Sequence, residues 1–238
     1  MPPNTLFPRR LGLVRATVLL LCVTLSSCAK FPASTGLISA KRVTFTFTVD
    51  GQINPNYVYI VALRPSDLLN PIDQGPVPSI APPWGNGFVA GNCTYFVRWD
   101  PTTSPAYTIY QFRDAQLTQY FPMGIPVTYT DVLTGGRTIQ FDLDLSQIAT
   151  SPADADAYQS LQVNFLTMDR VPQGSTGNKV WEGLGDGNSP SQVNTWITIP
   201  LNTNGIYNNA RYGNLEPKGD TPLPDIDIVD FSVSVRSS

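Results

Sequence analysis

The segment Val43-Thr44-Phe45-Thr46-Phe47-Thr48-Val49 decides the fold class of this 238-residue chain. Every odd-numbered residue in it is apolar, and every even-numbered residue is threonine. Successive side chains of a β-strand point to opposite faces of the sheet, so a period of two predicts a strand with one buried face. Threonine is β-branched and suits the pleated surface of a sheet. The segment therefore predicts a half-buried strand, and it sets the pattern to look for elsewhere.

Further segments predict strands in the same way. The segment Tyr57–Leu63 is apolar on both faces, which is typical of a central strand. The remaining predicted strands are Thr94–Trp99, Tyr107–Phe112, Val127–Leu133, Ile139–Leu145, Leu161–Met168, Val193–Ile199 and Val229–Val235. Gly135-Gly136 provides a tight hairpin turn between two of them, and only Ser151-Pro152 resembles a helix start. Short strands, turns rich in proline and glycine, and no alternation with helices predict an all-β fold. We expect a single antiparallel β-sandwich, immunoglobulin-like or jelly-roll, over residues 41–238.

Three predicted connections are long and carry aromatic residues. They are Pro65–Asn92, Arg170–Gln192 and Asn202–Asp225. Loops longer than about 12–15 residues are uncommon in compact domains and are usually functional or disordered. The faces of tryptophan and tyrosine rings stack on sugars and on partner surfaces. We predict a ligand-binding surface at one end of the sandwich formed by Trp84, Trp181, Tyr207 and Tyr212. The alternative is that each ring holds its own loop against the sandwich.

The chain has no histidine, which limits the chemistry open to it. Ser-His-Asp catalysis, Cys-His catalysis and zinc binding by imidazole are excluded. Carboxylate chemistry remains, and glycoside hydrolysis by a pair of acids is its main example. Glutamate occurs only twice, as Glu182 and Glu216. Glu182 is the alternative catalytic acid because it follows Trp181, and an apolar neighbour can raise a carboxyl pKa. The competing interpretation is a solvated acid on a loop.

No segment has the spacing of a known metal or phosphate loop. Asp225-Ile226-Asp227 with Asp230 is acidic but lacks the register of a calcium loop. The glycines in residues 183–187 lack the spacing and the following helix of a phosphate loop. The sequence therefore predicts neither a metal site nor a cofactor. Asp142 and Asp144 are predicted to face solvent from one strand.

Cys93 is the only cysteine after residue 28. Its position in Cys93–Trp99 places it on the same alternating face as Tyr95, Val97 and Trp99. This predicts a buried, unreactive thiol on the inner face of a strand.

The N-terminus has the three zones of an export signal. Its basic residues are Arg9, Arg10 and Arg15. The apolar run Ala16–Leu25 follows, and the small residues Ser26 and Ser27 come next. The run is shorter than the roughly 20 apolar residues that a membrane-spanning helix needs. Residues 1–27 are therefore predicted to be a cleaved signal peptide.

The sequence Leu25-Ser26-Ser27-Cys28 resembles the lipobox of bacterial membrane lipoproteins. The resemblance covers residues 1–28 only and implies cleavage before Cys28, a diacylglycerol on its sulfur and an acyl chain such as palmitate on its amine. Several acyl chains make a firm anchor. Residues 28–40 would be a short lipidated tether. Ala29, where an aspartate would favour the inner membrane, favours the outer membrane if the organism has one. Ordinary secretion with cleavage nearby is the alternative.

The charge balance of the mature chain bears on its partners. Residues 1–27 hold three of the 15 basic side chains and none of the 18 acidic ones, which leaves 12 basic against 18 acidic residues and a net charge of −6. Such a chain, with no basic cluster, is unsuited to nucleic acid. Electrostatic attachment to anionic lipid is disfavoured too, so the lipid anchor alone would hold the protein to a membrane.

Together these patterns predict a lipoprotein anchored in the bacterial cell envelope whose sandwich is a non-catalytic binding or interaction module. Its expected partners are the membrane, through the anchor, and a glycan or an envelope protein. Two alternatives remain open. One is an envelope glycan hydrolase that uses Glu182, and the other is a structural subunit of a cell-surface assembly that presents an edge strand to its neighbour.

Overall fold

The computed structural model describes residues 41–172, 174, 176–185 and 194–237. The predicted signal peptide, Cys28 and the tether over 28–40 lie outside the described residues. Within the described part of the chain, no helix is both long enough and apolar enough to span a membrane.

Strands make up most of the regular structure in these residues. They are β1 Lys41–Val49, β2 Val58–Ser66, β3 Pro76–Pro78, β4 Val89–Gly91, β5 Tyr95–Trp99, β6 Tyr107–Phe112, β7 Tyr120–Gly124, β8 Thr128–Tyr129, β9 Thr138–Asp144, β10 Ser160–Met168, β11 Trp181–Gly183, β12 Ile197–Pro200, β13 Gly205–Asn208 and β14 Ile228–Ser237. The helices are short: α1 Pro152–Ala157 and two 3-10 helices, Leu145–Ile148 and Asn209–Tyr212.

The strands form two main antiparallel sheets. The smaller sheet has the order β13-β14-β1-β9-β8. The larger has the order β11-β10-β2-β5-β6-β7, with β12 also paired to β10, and β3 and β4 form a separate hairpin. Neither main sheet closes into a barrel. The prediction of an all-β antiparallel sandwich is confirmed.

The main core lies between the two sheets. The alternation predicted for β1 is confirmed, since Phe45 and Phe47 are buried while the threonines between them are only half-buried. The ring of Phe47 lies 5.4 Å from the ring of Phe165 on β10. A second contact across the core joins Tyr107 on β6 and Phe141 on β9, whose ring centres are 5.9 Å apart. Full burial of each such side chain stabilises the fold by roughly 1.5–3 kcal/mol.

A second, outer core covers the other face of the larger sheet. The first six residues of β2 are buried on both faces, as predicted for a central strand. The outer core is formed by Val58, Ile60, Ala62, Phe88, Val89, Cys93, Phe96, Phe112, Leu117, Leu166, Met168 and Trp181. Several of these residues belong to the long connections, so those loops are packed against the sheet.

The predicted hairpin around Gly135-Gly136 forms differently. Only Thr128–Tyr129 pairs as a strand with β9, and an eight-residue connection follows. The turn does not extend the ladder because its backbone is used elsewhere: the Gly136 carbonyl accepts a hydrogen bond from the Ile53 amide at 2.8 Å. The helix start is confirmed, since the Ser151 hydroxyl accepts from the Asp154 amide at the start of α1.

Two residues lie on faces other than those predicted. Asp144 is buried, and its carboxylate accepts from the Ser146 amide at 2.9 Å, because it caps the 3-10 helix that follows β9. Cys93 is buried as predicted but belongs to the outer core, because β5 begins at Tyr95 and a bend at Thr94 breaks the alternation. Burial raises the pKa of the Cys93 thiol to about 12.

Candidate functional site

The four aromatic rings predicted to bind ligand are not exposed as a group. Trp84, Trp181 and Tyr207 expose only 4, 6 and 5% of their surface. Tyr212 is half-buried, and its ring centre lies 6.2 Å from that of Phe231. Most of the surface that these rings could offer to a ligand is therefore already covered by the protein.

The four rings also lie in different regions. Trp181 belongs to the outer core, whereas Tyr207 belongs to the core between the sheets. Trp84 lines a small surface pocket with Asn86 and Leu117. The structure therefore does not bring the four rings together in one cluster. The burial agrees with the alternative, in which each ring holds its own loop against a sheet.

Glu182, the alternative catalytic acid, is completely buried. It lies on β11, opposite Thr167 of β10 in the larger sheet. One carboxylate oxygen, Oε1, accepts a hydrogen bond from the amide of Ile228 at 2.8 Å. Ile228 begins β14 of the smaller sheet, so this contact joins the two sheets. A general acid must reach its substrate, and Glu182 is enclosed.

Three further acids surround Glu182. One oxygen from each of Glu182, Asp220 and Asp227 lies within 4.8 Å of the other two. Glu216 adds a fourth negative group close enough to act electrostatically on Glu182. We call Glu182, Glu216, Asp220 and Asp227 the carboxylate cluster. It contains both glutamates of the chain, and both are buried.

Backbone contacts place Glu216 in this cluster. The 3-10 helix after β13 begins at Asn209, whose buried side chain accepts from the Glu216 amide and donates to the Glu216 carbonyl, both at 2.9 Å. The Oε1 atom of Glu216 then accepts from the Gly185 amide at 2.6 Å, just after β11. Glu216 thereby links the segment after β13 to the segment after β11.

The segment 219–227 is fixed in a similar way. The Gly219 amide donates to Oδ2 of Asp227 at 2.9 Å. Gly219 has a φ of +88°, which glycine adopts without the strain of a Cβ atom. The Thr167 hydroxyl on β10 donates to the Ile226 carbonyl at 2.5 Å. These bonds hold Asp220 and Asp227 against the edge of the larger sheet, beside Glu182.

The electrostatics of the cluster are unfavourable as they stand. The pKa of Glu182 is raised to about 11, mainly by burial and in addition by the neighbouring Glu216 and Asp220 carboxyls. Burial and the nearby Asp227 raise the pKa of Asp220 to about 6. Among the described residues, no lysine or arginine forms an ion pair with Glu182, Asp220 or Asp227; Lys218 pairs instead with Asp50, at 2.6 Å.

Several oxygens of the cluster have no hydrogen-bond partner among the described residues. They are Oε2 of Glu182, Oδ1 of Asp220 and Oδ1 of Asp227, all inaccessible to solvent. The Thr221 hydroxyl, next to Asp220 in the chain, is in the same state. Buried polar atoms are nearly always hydrogen-bonded, and leaving one unpaired costs free energy. Each of the three acids that approach one another in the cluster therefore has one carboxylate oxygen without a partner.

The sequence prediction of no metal site missed this donor set. Of the acidic residues considered there, Asp225 accepts from the Gln52 amide at 2.9 Å, outside the cluster, and Asp230 is exposed. Only Asp227 belongs to the cluster. Its partner Glu182 belongs to a different strand, far earlier in the chain, so no local spacing could reveal the complete set. The one available signal was the presence of just two glutamates.

A second unusual region lies on the surface. Of the ten large apolar side chains that are exposed among the described residues, six lie between residues 120 and 133. We call these six the apolar edge: Tyr120, Met123, Ile125, Val127, Tyr129 and Leu133. β7 is one edge strand of the larger sheet, and β8 is one edge strand of the smaller sheet. The apolar edge therefore runs along one side of the sandwich and includes one edge strand of each sheet.

The two tyrosines of the apolar edge are held by the domain. The Tyr120 ring packs edge-on against Phe96 of the outer core, with ring centres 5.2 Å apart. The Tyr129 ring lies 5.2 Å from Tyr107 of the main core. Both rings are thus fixed in position while more than a third of each remains exposed. A preformed surface of this kind loses little entropy when it binds.

Comparison with protein-family models, with curated proteins and with solved structures gives no significant match. The function has to be inferred from the geometry of this chain.

Proposed function

We propose that this protein is a lipid-anchored envelope lipoprotein whose sandwich binds another envelope protein through the apolar edge, without catalysis. The observation that carries the proposal is the concentration of exposed apolar side chains along one side of the sandwich. Isolated exposed apolar residues are ordinary, but a contiguous group on a soluble domain marks an interaction site.

The composition of this side supports a protein partner. Residues 115–130 contain no charged side chain, whereas Asp114 and Asp131 flank them directly. Charge depletion together with tyrosine and methionine is the compositional signature of the core of a protein interface. Arg113 lies at the rim, with its guanidinium 4.2 Å from the centre of the Phe121 ring. An apolar centre with a charged rim is the usual arrangement for such contacts.

The side chains of this region, rather than its backbone, would form the contact. Pro122 lies within β7 and has no amide hydrogen to donate. The register of β7 on β6 shifts between Ile109 and Tyr110, and β8 has only two residues. Proline, irregular pairing and short length are the ways in which edge strands avoid pairing with other chains. The alternative of a structural subunit that presents an edge strand to its neighbour is therefore less well supported.

The hydrolase alternative depends on Glu182 reaching a glycan. Glu182 is fully buried, and its Oε1 is occupied by the Ile228 amide. The proposal therefore gives the four acids no catalytic role. The anchor remains part of the proposal on the strength of Leu25-Ser26-Ser27-Cys28 alone.

Site-specific crosslinking in intact cells tests the interaction. A photoreactive amino acid replaces Met123, and the control replaces Ile206, which is 59% exposed on β13 at the opposite free edge of the smaller sheet. We expect one discrete adduct with another protein from Met123 and none from Ile206. The adduct should disappear when Ile125→Lys is added, with the melting temperature unchanged.

Three results would contradict the proposal. They are a lipid adduct, an adduct of twice the mass of this chain, and equal adducts from both positions. The anchor is tested separately by the intact mass of the full chain purified in detergent. We expect a lipidated N-terminal Cys28, and Cys28→Ser should accumulate as an unprocessed precursor. An unlipidated mature chain would remove the anchor from the proposal.

A further inference from the structure

We propose that the carboxylate cluster is a calcium site, with Glu182, Asp220 and Asp227 as its protein ligands and Glu216 next to them. The site is independent of the apolar edge and of the lipid anchor. A divalent cation would supply the positive charge that the described residues do not.

The spacing of the oxygens fits one calcium ion. Calcium binds oxygen at 2.3–2.6 Å, so two ligands of the same ion are at most about 5 Å apart. The three carboxylate oxygens lie within 4.8 Å of one another. The ligand atoms available are also unused: Oε2 of Glu182 and Oδ1 of Asp227 have no hydrogen-bond partner, although these residues expose only 0 and 1% of their surface.

The remaining oxygens show that the site is built rather than accidental. Oε1 of Glu182 accepts from the Ile228 amide, and Oδ2 of Asp227 accepts from the Gly219 amide. In both residues, one carboxylate oxygen is fixed by the backbone and the other is free to bind. Hydrogen bonds to the second oxygen of a ligating carboxylate are the usual means of orienting metal ligands.

The alternative to a cation is a cluster of protonated acids. Protonation removes the charge, but each neutral carboxyl then carries an O–H that needs an acceptor. Buried carboxyls can satisfy one another in pairs, and Asp220 and Asp227 are close enough to do so. Glu182 would still need its own partner, and Glu216 would add another acid beside it. A cation satisfies all three unpartnered oxygens at once.

Calcium suits the site better than the other common divalent ions. All the ligand atoms are carboxylate oxygens, whereas zinc in proteins prefers nitrogen and sulfur, and the chain has no histidine. Magnesium requires near-ideal octahedral geometry at 2.0–2.1 Å and retains several waters, which a buried site cannot easily hold. Calcium tolerates irregular geometry and six to eight oxygens. The Thr221 hydroxyl is an additional oxygen next to Asp220.

The position of the cluster gives the ion a structural role. Glu182 lies on β11 of the larger sheet, and Asp227 directly precedes β14 of the smaller sheet. An ion bound to both would fasten the two sheets together at this end of the sandwich. Binding to the folded state alone stabilises a protein by mass action.

Thermal unfolding of the full chain in detergent, first stripped with EDTA, tests the site. Calcium at about 100 times its Kd should raise the melting temperature by roughly 5–10 °C. Magnesium at the same concentration should raise it by less than 2 °C, an order-of-magnitude bound set by its poorer fit. Equilibrium dialysis with calcium should give one ion per chain.

Glu182→Gln and Asp227→Asn keep the size of each side chain but weaken it as a ligand. Either should reduce the calcium-induced rise in melting temperature at least threefold, and Asp230→Asn, at an exposed acid on β14, should leave it intact. Circular dichroism of each variant in EDTA checks that it folds. The proposal is overturned if the wild-type chain binds no calcium at millimolar concentration, or if Asp230→Asn reduces the response as much as Glu182→Gln.

Discussion

The carboxylate cluster and the apolar edge break the same rule in opposite directions. The cluster buries three acids beside the half-buried Asp220, although proteins normally leave acids in water, and the edge exposes six large apolar side chains, which proteins normally bury. Buried acids and exposed apolar groups both cost free energy in the isolated domain. Each therefore supports one of the two binding proposals.

The two regions differ in what would relieve that cost. In the cluster, three acids approach within 4.8 Å of one another and each has an oxygen without a hydrogen-bond partner, which a small positive group inside the fold would satisfy. At the edge, rings held by Phe96 and Tyr107 remain half-open to solvent and need a surface to cover them. The cluster therefore bears on stability, whereas the edge bears on association.

The largest expected effect on stability comes from truncating Glu182 in the cluster, and truncation of Met123 at the edge provides the comparison. Glu182→Ala removes a buried group that joins β11 to the Ile228 amide, and we expect it to lower the free energy of unfolding by about 2–4 kcal/mol in calcium. Met123→Ala, at the edge, should change it by less than about 0.5 kcal/mol. Urea unfolding of both variants measures the difference, and equal losses would erase the distinction between the regions.

A half-buried cation offers a comparison with the acids of the cluster. Lys179 lies beside the outer core, where its ammonium donates to the Gly87 carbonyl at 2.6 Å and lies 5.5 Å from the centre of the Trp84 ring. Burial lowers the pKa of Lys179 to about 7. Like the raised pKa values in the cluster, this lowered pKa reflects the cost of holding a charge away from water.

The sign of the pH dependence follows from that lowered pKa. Between pH 7 and about 10.5 the unfolded chain binds more protons at this residue than the folded chain, so its contribution to stability rises with pH. The cost of burying the charge is fully present below pH 7. Lys179→Met should therefore stabilise the protein, relative to wild type, by about 1–3 kcal/mol more at pH 6.5 than at pH 10. Lys218→Met, at an exposed lysine, controls for the loss of one charge. A stability difference that does not vary with pH would mean that Lys179 is hydrated in solution.

The smallest effect on stability is expected at the edge itself. Ile125→Lys places a charge on an exposed position and should change the free energy of unfolding by less than about 0.5 kcal/mol. It should nevertheless reduce binding of a hydrophobic dye to the folded protein, because it interrupts the apolar surface. Ile206→Lys, the same substitution at an exposed position on β13, should leave dye binding unchanged. Loss of stability in Ile125→Lys would indicate that the edge is packed in solution.

The fold could be predicted from the sequence because its main signals are local. The alternation in Val43–Val49 and the doubly apolar β2 each specify a strand without reference to distant residues. The face of the sheet on which a side chain lies was predicted less well where the backbone bends or where the residue caps a helix. A bend at Thr94 moved Cys93 to the outer core, and the capping role of Asp144 turned it inwards.

The candidate sites could not be predicted in the same way, because both depend on tertiary contacts. Glu182 and Asp227 approach only because β11 lies beside the start of β14. The apolar edge depends on β7 and β8 being the last strands of their sheets, which periodicity does not reveal. Burial of Trp84 and Trp181 likewise follows from the long loops folding back onto the larger sheet.

A crystal structure of the protein grown with calcium and measured at long wavelength would test the calcium site itself. The anomalous signal locates calcium independently of any assumption about the ligands. We predict one peak within 2.3–2.6 Å of carboxylate oxygens from Glu182, Asp220 and Asp227. A cluster without an anomalous peak, in which the acids hydrogen-bond only to one another or to water, would contradict the proposal.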